Sequence, residues 1–296
     1  MRLVTYERAG GRAAGFLRDD TIVPFDAVEG PRTVREFIVE EKARQEELAD
    51  RADGFGGELI DVESIRLGPP VDDPGKILCI GLNYRDHAEE TGMQAPSSPI
   101  VFAKFANSLV GPDDEVVIPP TADQIDYEAE LAVVIGTCCA RVPTEEAIDH
   151  VFGAMAFNDV SARNLQMATG QWTMGKAIDT FAPCGPALVS IDELGDLQNL
   201  RVGTKVNGTV VQDGHTGSMI FSIAETISFI SSVMTLEPGD VIATGTPAGV
   251  GMGRKPPLYL KAEDTVEVSV EKIGTLRNRL AAGAGSEADV ARAGAR

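Results

Sequence analysis

The stretch IDYEAELAVVIG, Ile125 to Gly136, constrains the fold more than any other segment of the chain. After Glu130 it is Leu, Ala, Val and Ile, strand material that enters a core. Yet it carries Glu128 and Glu130 two positions apart. In a strand, residues i and i+2 point to one face, about 6.5–7 Å apart. Glu128 and Glu130 therefore share a face with Asp126. Tyr127, Ala129, Leu131, Val133 and Ile135 take the other face, which can be core. Like charges on one face repel, so water, a basic side chain or a cation must compensate. The plainest reading of such a pair is a polar strand edge facing water.

Two features argue for more than an edge. The apolar run follows Glu130 directly. A third acid, Asp159, sits in AFNDVSARNLQ just after another apolar segment. Two glutamates and an aspartate, with no His or Cys nearby in sequence, suit a hard, oxygen-loving ion such as Mg²⁺ or Mn²⁺.

Other chemistry-bearing residues fall around these acids. The chain has only three histidines. His87 lies three residues before Glu90, and on a helix i and i+3 are neighbours, so Glu90 is placed to orient His87 as a general base. The competing reading is a casual surface pair. Lys176 is the only lysine between Lys104 and Lys205. Beside an apolar stretch it is either an anion or enolate binder or a solvated charge. Arg163 and Gln166 follow Asp159 at i+4 and i+7, one helical face if a helix starts at Asp159. They either bind a substrate carboxylate or lie on the surface. GVGMGR at 249–254 lacks the GxGxxG spacing, and no GK[ST] or GxSxG occurs. It reads as a Gly/Pro-rich loop lining a pocket.

Charge narrows the partners. With 26 basic and 45 acidic residues the formal net charge is −19. That disfavours nucleic acid and anionic membranes, which reward Lys and Arg. The four cysteines form no CxxC and read as buried free thiols in a reducing compartment. The N-terminus has no apolar signal region and no run is long enough to span a bilayer, so the cytoplasm is expected.

The chain reads as an α+β fold. Residues 1–70 read as a small N-terminal domain, with strands in RLVTYE, AAGFLR and TIVPF and one helix from Val34 to Ala52. Residues 71–280 read as the catalytic domain. KILCIGLNY and SPIVFAKF are strand material, and TEEAIDHVFGAMAF begins as a helix. TKVNGTVVQDG is a type I′ hairpin. SIAETISFISSVMTLEPGD is a helix stopped by Pro238-Gly239, and TVEVSVEKIGTLRNRL is a late strand. Residues 281–296, small and polar, read as a disordered tail.

Together these residues resemble the fumarylacetoacetate hydrolase family. The matching segments, in order, are GLNYRDHAEE, DYEAELAVVIG, NDVSARNLQ, GQWTMGKAIDTFAPCGPALV, VNGTVVQDG and LEPGDVIATGTPAGVG. The resemblance implies a mixed β-roll domain preceded by a small N-terminal domain, a homodimer, and a Mg²⁺ or Mn²⁺ site. Residue by residue it implies Glu128, Glu130 and Asp159 as metal ligands and His87 with Glu90 as a water-activating pair on a mobile lid. It implies Lys176 facing the substrate, with Arg163, Gln166 and Thr246 as substrate contacts. The implied reaction is hydrolysis of a C–C bond in a 2,4-dioxo acid, such as an acylpyruvate or a diketo-deoxy sugar acid. The products are a 2-oxo acid such as pyruvate and a carboxylic acid. Decarboxylation of oxaloacetate, isomerisation of a 2-oxo diacid and a ureidoglycolate lyase-like reaction are the alternatives within the family. A non-catalytic, metal-stabilised ligand-binding protein is the alternative outside enzymes.

Overall fold

The structure, a computed structural model, describes residues 1–284. It is an α+β fold built on two large sheets, with a two-stranded pair, Ile125–Asp126 and Ser161–Ala162, beside them. The larger has eleven strands. Its path runs from Ile60–Asp61 through Thr21–Pro24, Gly11–Arg18 and Arg2–Arg8 to Ala182–Ser190. It continues through Val151–Asn158, Ala129–Ile135, Val241–Ala243 and Ile77–Gly81 to Ile100–Lys104. Leu109–Val110 pairs alongside Ala182–Ser190. The second sheet has five strands, in the order Thr209–His215, Arg201–Val206, Thr265–Val270, Gly274–Ala282, Glu115–Ile118. Parallel and antiparallel pairs mix in both, as in Val241–Ala243 beside Ile77–Gly81.

The strand Ala129–Ile135 is buried on both faces, which explains its nearly continuous apolar run. Tyr127, Ala129, Leu131, Val133 and Ile135 enter the core between the sheets, against Val202, Val266, Val268 and Leu276. Ala132 and Val134 face the opposite way and pack with Leu3, Phe16, Phe25 and Phe37. Residues 1–70, read as a small N-terminal domain, thus do not stand apart. Arg2–Arg8 hydrogen-bonds to Ala182–Ser190, and its Leu3, with Phe16, Phe25 and Phe37, shares a core with the central strands, while Val4 and Tyr6 pack in a smaller cluster with Ala187.

Several local expectations change. The single helix over 34–52 is two, Val34–Ile38 and Lys42–Asp53. Glu41 is extended, and the Gln45 amide donates to the carbonyls of Phe37, Ile38 and Glu40, satisfying the first helix's end. TEEAIDH forms only a 3₁₀ helix, Thr144–His150, and the apolar run after it is the strand Val151–Asn158. The helix Ile223–Ser231, opened by a Ser222–Glu225 capping box, ends well before Pro238. TVEVSVEKIGTLRNRL is a hairpin of two strands, with Lys272 and Gly274 at positive φ in the turn. The Asn207-Gly208 hairpin forms as expected, both residues at positive φ. Cys79, Cys139 and Cys184 are buried free thiols, but Cys138 is exposed. The expected tail begins within a strand that reaches Ala282, and residues 285–296 lie outside the described residues. Among the described residues no helix is long and apolar enough to cross a membrane.

Candidate active site

Strand register assembles the acids. Ala129 is paired with Asn158, and Glu130 with Phe157. Asp159 therefore leaves its strand beside Glu128, and its N–H donates to the Glu128 carbonyl at 3.0 Å. The Asn158 side chain accepts from the Glu128 N–H at 3.0 Å. Ala132 is paired with Ala243, so Gly245 follows on next to Glu130 and donates its N–H to Oε2 at 2.8 Å. The two glutamates do not form a solvent edge: Glu128 is 6% exposed, Glu130 1% and Asp159 0%. One carboxylate oxygen from each lies within 4.8 Å of the others.

Buried cations compensate the acids. Lys176 Nζ donates to Glu128 Oε2 and to Asp159 Oδ2, each at 2.7 Å. Lys104, fully buried, donates to Asp159 Oδ1 at 2.6 Å and to the Val160 carbonyl at 3.0 Å. Arg163 donates to Glu128 Oε1 at 2.7 Å, to Asp126 Oδ2 at 2.9 Å and to Gln166 Oε1 at 2.9 Å. Burial alone would raise the Glu128 pKa, but Lys176 and Arg163 outweigh it and hold the carboxyl well below its usual range. Burial lowers Lys176, yet Asp159 and Glu128 reverse this and raise it. Lys104 goes the other way: burial exceeds the help of Asp159 and lowers it. Among the described residues no lysine or arginine pairs directly with Glu130. Burial, then the charges of Asp159 and Glu128, push it well above the usual range, and the charge of Lys176 lowers its pKa only as a minor contribution.

These residues fit a hard divalent cation. The donors are all carboxylate oxygens, close together and buried. The like-charge crowding that raises Glu130 is what a cation relieves. The oxygens that accept one N–H each retain a lone pair for a metal.

The remaining expected residues meet the acids at one cavity. His87, Glu128, Glu130, Arg163, Gln166, Lys176 and Thr246 all line it. Glu90 stands behind His87, accepting from Nδ1 at 2.9 Å when that nitrogen carries the proton. The helix expected to start at Asp159 starts later, as a single turn at Arg163–Gln166. The turn Thr173–Lys176 lies directly against it. A Cβ on Gly175 would fall 2.4 Å from the Gln166 nitrogen, so glycine there permits the approach that brings Lys176 to the acids. Apolar side chains complete the lining: Ile80, Met93, Phe102, Met167, Trp172 and Met252. The Lys176 ammonium also stands 5.1 Å from the Phe102 ring centre. The cavity volume is about 60 Å³, room for about two waters. A larger open groove, about 670 Å³, lies over the second sheet among Arg201, Lys205 and Lys272, without a histidine.

Two residues of the site, and the role of a third, escaped sequence reasoning. Lys104 ends an apolar strand, IVFAK, and a charge in such a place was the available signal. Asp126 shares the face of the two glutamates but joins Arg163 to the loop after Pro247, accepting from Gly251 at 2.6 Å and Met252 at 3.0 Å. Trp172 has no sequence signal beyond being the single tryptophan.

Residues 76–281 match the family model described as fumarylacetoacetate (FAA) hydrolase C-terminal. A mitochondrial oxaloacetate tautomerase of Homo sapiens is 43% identical over 252 residues, covering 84% of this chain and 80% of the relative. Among solved structures, a fumarylacetoacetate hydrolase from the psychrophile Exiguobacterium antarcticum superposes with a TM-score of 0.80 at 36% identity, covering 96% of this chain and 100% of that one. A 5-carboxymethyl-2-hydroxymuconate delta-isomerase from Mycobacterium smegmatis superposes with a TM-score of 0.77 at 33% identity and the same coverage.

Proposed function

The chain belongs to the fumarylacetoacetate hydrolase family, and from that premise we propose a divalent-metal-dependent enzyme that moves a proton at C3 of a 2-oxo acid bearing a second carbonyl at C4. Keto–enol tautomerisation of oxaloacetate, the activity in the name of the human relative, is the best-supported form of this chemistry. The observation that carries it is His87, held by Glu90 and lining the same cavity as Glu128 and Glu130, two of the three clustered carboxylates.

Glu128, Glu130 and Asp159 would hold Mg²⁺ or Mn²⁺. Such an ion, when bound, supplies charge that stabilises an enolate. The protein's own groups do the rest. With Nδ1 on Glu90, His87 keeps Nε2 for the substrate. It takes a proton from C3 and returns one there. An ammonium has three donors. Lys176 uses two on Glu128 and Asp159, leaving the third for the oxygen that gains charge at C2. In the enol that oxygen carries a proton in place of the one His87 has taken from C3, so that the step neither gains nor loses a proton once His87 gives its proton up. Gln166 accepts from Arg163 through Oε1, which turns its NH₂ toward a substrate carboxylate. Thr246 accepts from Gln212 through Oγ1 at 2.8 Å and keeps its O–H to donate. Arg163 is engaged on Asp126, Glu128 and Gln166, so we assign it the positioning of those groups.

The second reading is hydrolytic cleavage of a 2,4-dioxo acid, and the same His87–Glu90 pair favours it. His87 would take a proton from water, and the resulting hydroxide would attack C4. The C3–C4 bond would break to give a carboxylic acid and an enolate, which is protonated at C3 to a pyruvate-type product.

The test follows the ultraviolet decay of enol-oxaloacetate and pyruvate release from acetylpyruvate and oxaloacetate, each with Mg²⁺, Mn²⁺ and EDTA. Metal-dependent acceleration of enol decay without pyruvate supports the tautomerase. Metal-dependent pyruvate from acetylpyruvate supports the hydrolase, and pyruvate from oxaloacetate alone a decarboxylase. Thermal stabilisation by Mg²⁺ with no turnover of any of them would leave a ligand-binding protein.

A further inference from the structure

The GVGMGR segment, which nucleotide motifs did not explain, forms a loop pinned between two carboxylates, the half-buried Glu90 and the buried Asp126. At one end the Gly249 N–H donates to Glu90 Oε2 at 2.8 Å. At the other, Gly251 and Met252 donate to the two oxygens of Asp126. The Gly249 carbonyl accepts from the Tyr127 hydroxyl at 3.0 Å and from Arg254 Nε at 3.2 Å. Gly253 packs against Glu90: a Cβ there would lie 2.8 Å from both Cδ and Oε2 of that carboxylate. Glu90 therefore has one oxygen on His87 and the other on this loop. A carboxylate bonded through both oxygens to fixed partners is restricted in rotation, and so is the imidazole it holds.

We infer that the loop Gly249–Arg254 is a positioning element that sets the orientation of the Glu90–His87 pair, with Gly249 N–H as the fixed donor and Gly253 as the space Glu90 needs. Asp126 anchors the loop to Arg163, and through Arg163 to Glu128. The base and the carboxylate cluster are thereby referred to one frame. The inference rests on His87 as the base under Proposed function.

The experiment is a double-mutant cycle of Gly253→Ala and Glu90→Ala, with kcat and KM on enol-oxaloacetate and on acetylpyruvate, Mg²⁺ affinity by calorimetry, and Tm. The Gly253 backbone does not have positive φ, and the atoms met by the new Cβ belong to the flexible end of Glu90. Gly253→Ala is thus expected to fold and to displace the carboxylate. It should lower kcat about tenfold with KM, Mg²⁺ affinity and Tm near those of the parent, and add no further loss in the Glu90→Ala background. Amide exchange supplies a readout independent of activity: in Glu90→Ala the Gly249 amide should exchange faster, with Gly251 and Met252 unchanged. Parent activity in Glu90→Ala overturns the orienting role of Glu90 and with it this inference, whereas parent activity in His87→Ala overturns the base assignment itself. An impaired Glu90→Ala beside a fully active Gly253→Ala, or additive losses, overturns the positioning role alone. Unchanged Gly249 exchange overturns it too, and that arm decides if Gly253→Ala fails to fold.

Discussion

Lys104 Nζ lies 2.6 Å from Asp159 Oδ1, and neither side chain reaches solvent. The lysine stands behind the carboxylate cluster, where it can fix Asp159 but is shielded from bulk water. Breaking a buried pair by removing one partner leaves a charge uncompensated and costs about 3 kcal/mol or more. Lys104→Met is therefore expected to lower unfolding free energy by about 3 kcal/mol, read by urea denaturation. A loss within about 0.5 kcal/mol, the range of neutral surface changes, would show that Lys176 alone satisfies Asp159.

The metal and base roles separate by mutation. Glu128→Ala and Asp159→Ala should abolish Mg²⁺ binding and activity together. His87→Ala should keep Mg²⁺ affinity and lose about 100-fold or more in kcat. Calorimetry beside steady-state kinetics checks both. A His87→Ala enzyme at parental rate removes the histidine from the mechanism.

Glu130 gives a pH signature. Its folded pKa is raised, chiefly by burial and then by the charges of Asp159 and Glu128. The folded state then binds more protons than the unfolded chain. Its contribution is complete below the ordinary glutamate value, about 4.3, and is lost as pH rises through the raised folded value. With EDTA present, stability should fall with pH above the ordinary range. Mg²⁺ displaces that proton and should flatten the fall. Urea melts at about pH 6 and about pH 8, with EDTA or Mg²⁺, test this. Glu130→Gln should be less pH-sensitive, and an unchanged slope in that variant would contradict it.

Trp172 is the single tryptophan, lines the cavity, and meets Phe102 edge-on at 5.4 Å. Its emission should respond when oxalate, a planar mimic of a 2-oxo acid enolate, binds with Mg²⁺. The response should vanish in Glu128→Ala. A Cβ on Gly81 would fall 2.5 Å from Trp172 Cζ3. Gly81→Ala should therefore shift the resting emission and raise KM. Oxalate binding seen by calorimetry without an emission change would place the ligand away from this wall.

The grouping of the candidate residues was legible because their types are rare and locally spaced. Alternation in IDYEAEL put both glutamates on one face whatever the strand's neighbours. The i, i+3 spacing of His87 and Glu90 survives as a real contact because a short helix, Arg85–Glu90, forms there. Helix extents were less legible. The helix read across 34–52 breaks at Glu41, and the turn at Arg163 begins only after Ser161–Ala162 pairs with Ile125–Asp126. Both depend on hydrogen bonds to distant segments or to side chains that helix periodicity does not encode.

By itself the sequence determined an α+β chain with an acidic cluster of metal-ligand type, a His–Glu pair and a lone lysine, because side-chain periodicity and charge are properties of local covalent order. Only the tertiary structure decided that Glu128 and Glu130 are buried rather than at a wet edge, since burial depends on which strands flank them. It also brought Lys104, Asp126 and the Gly249–Met252 amides to the site. Those partners come from segments far apart in the chain, and strand register and loop packing, which sequence spacing does not record, fix where they meet.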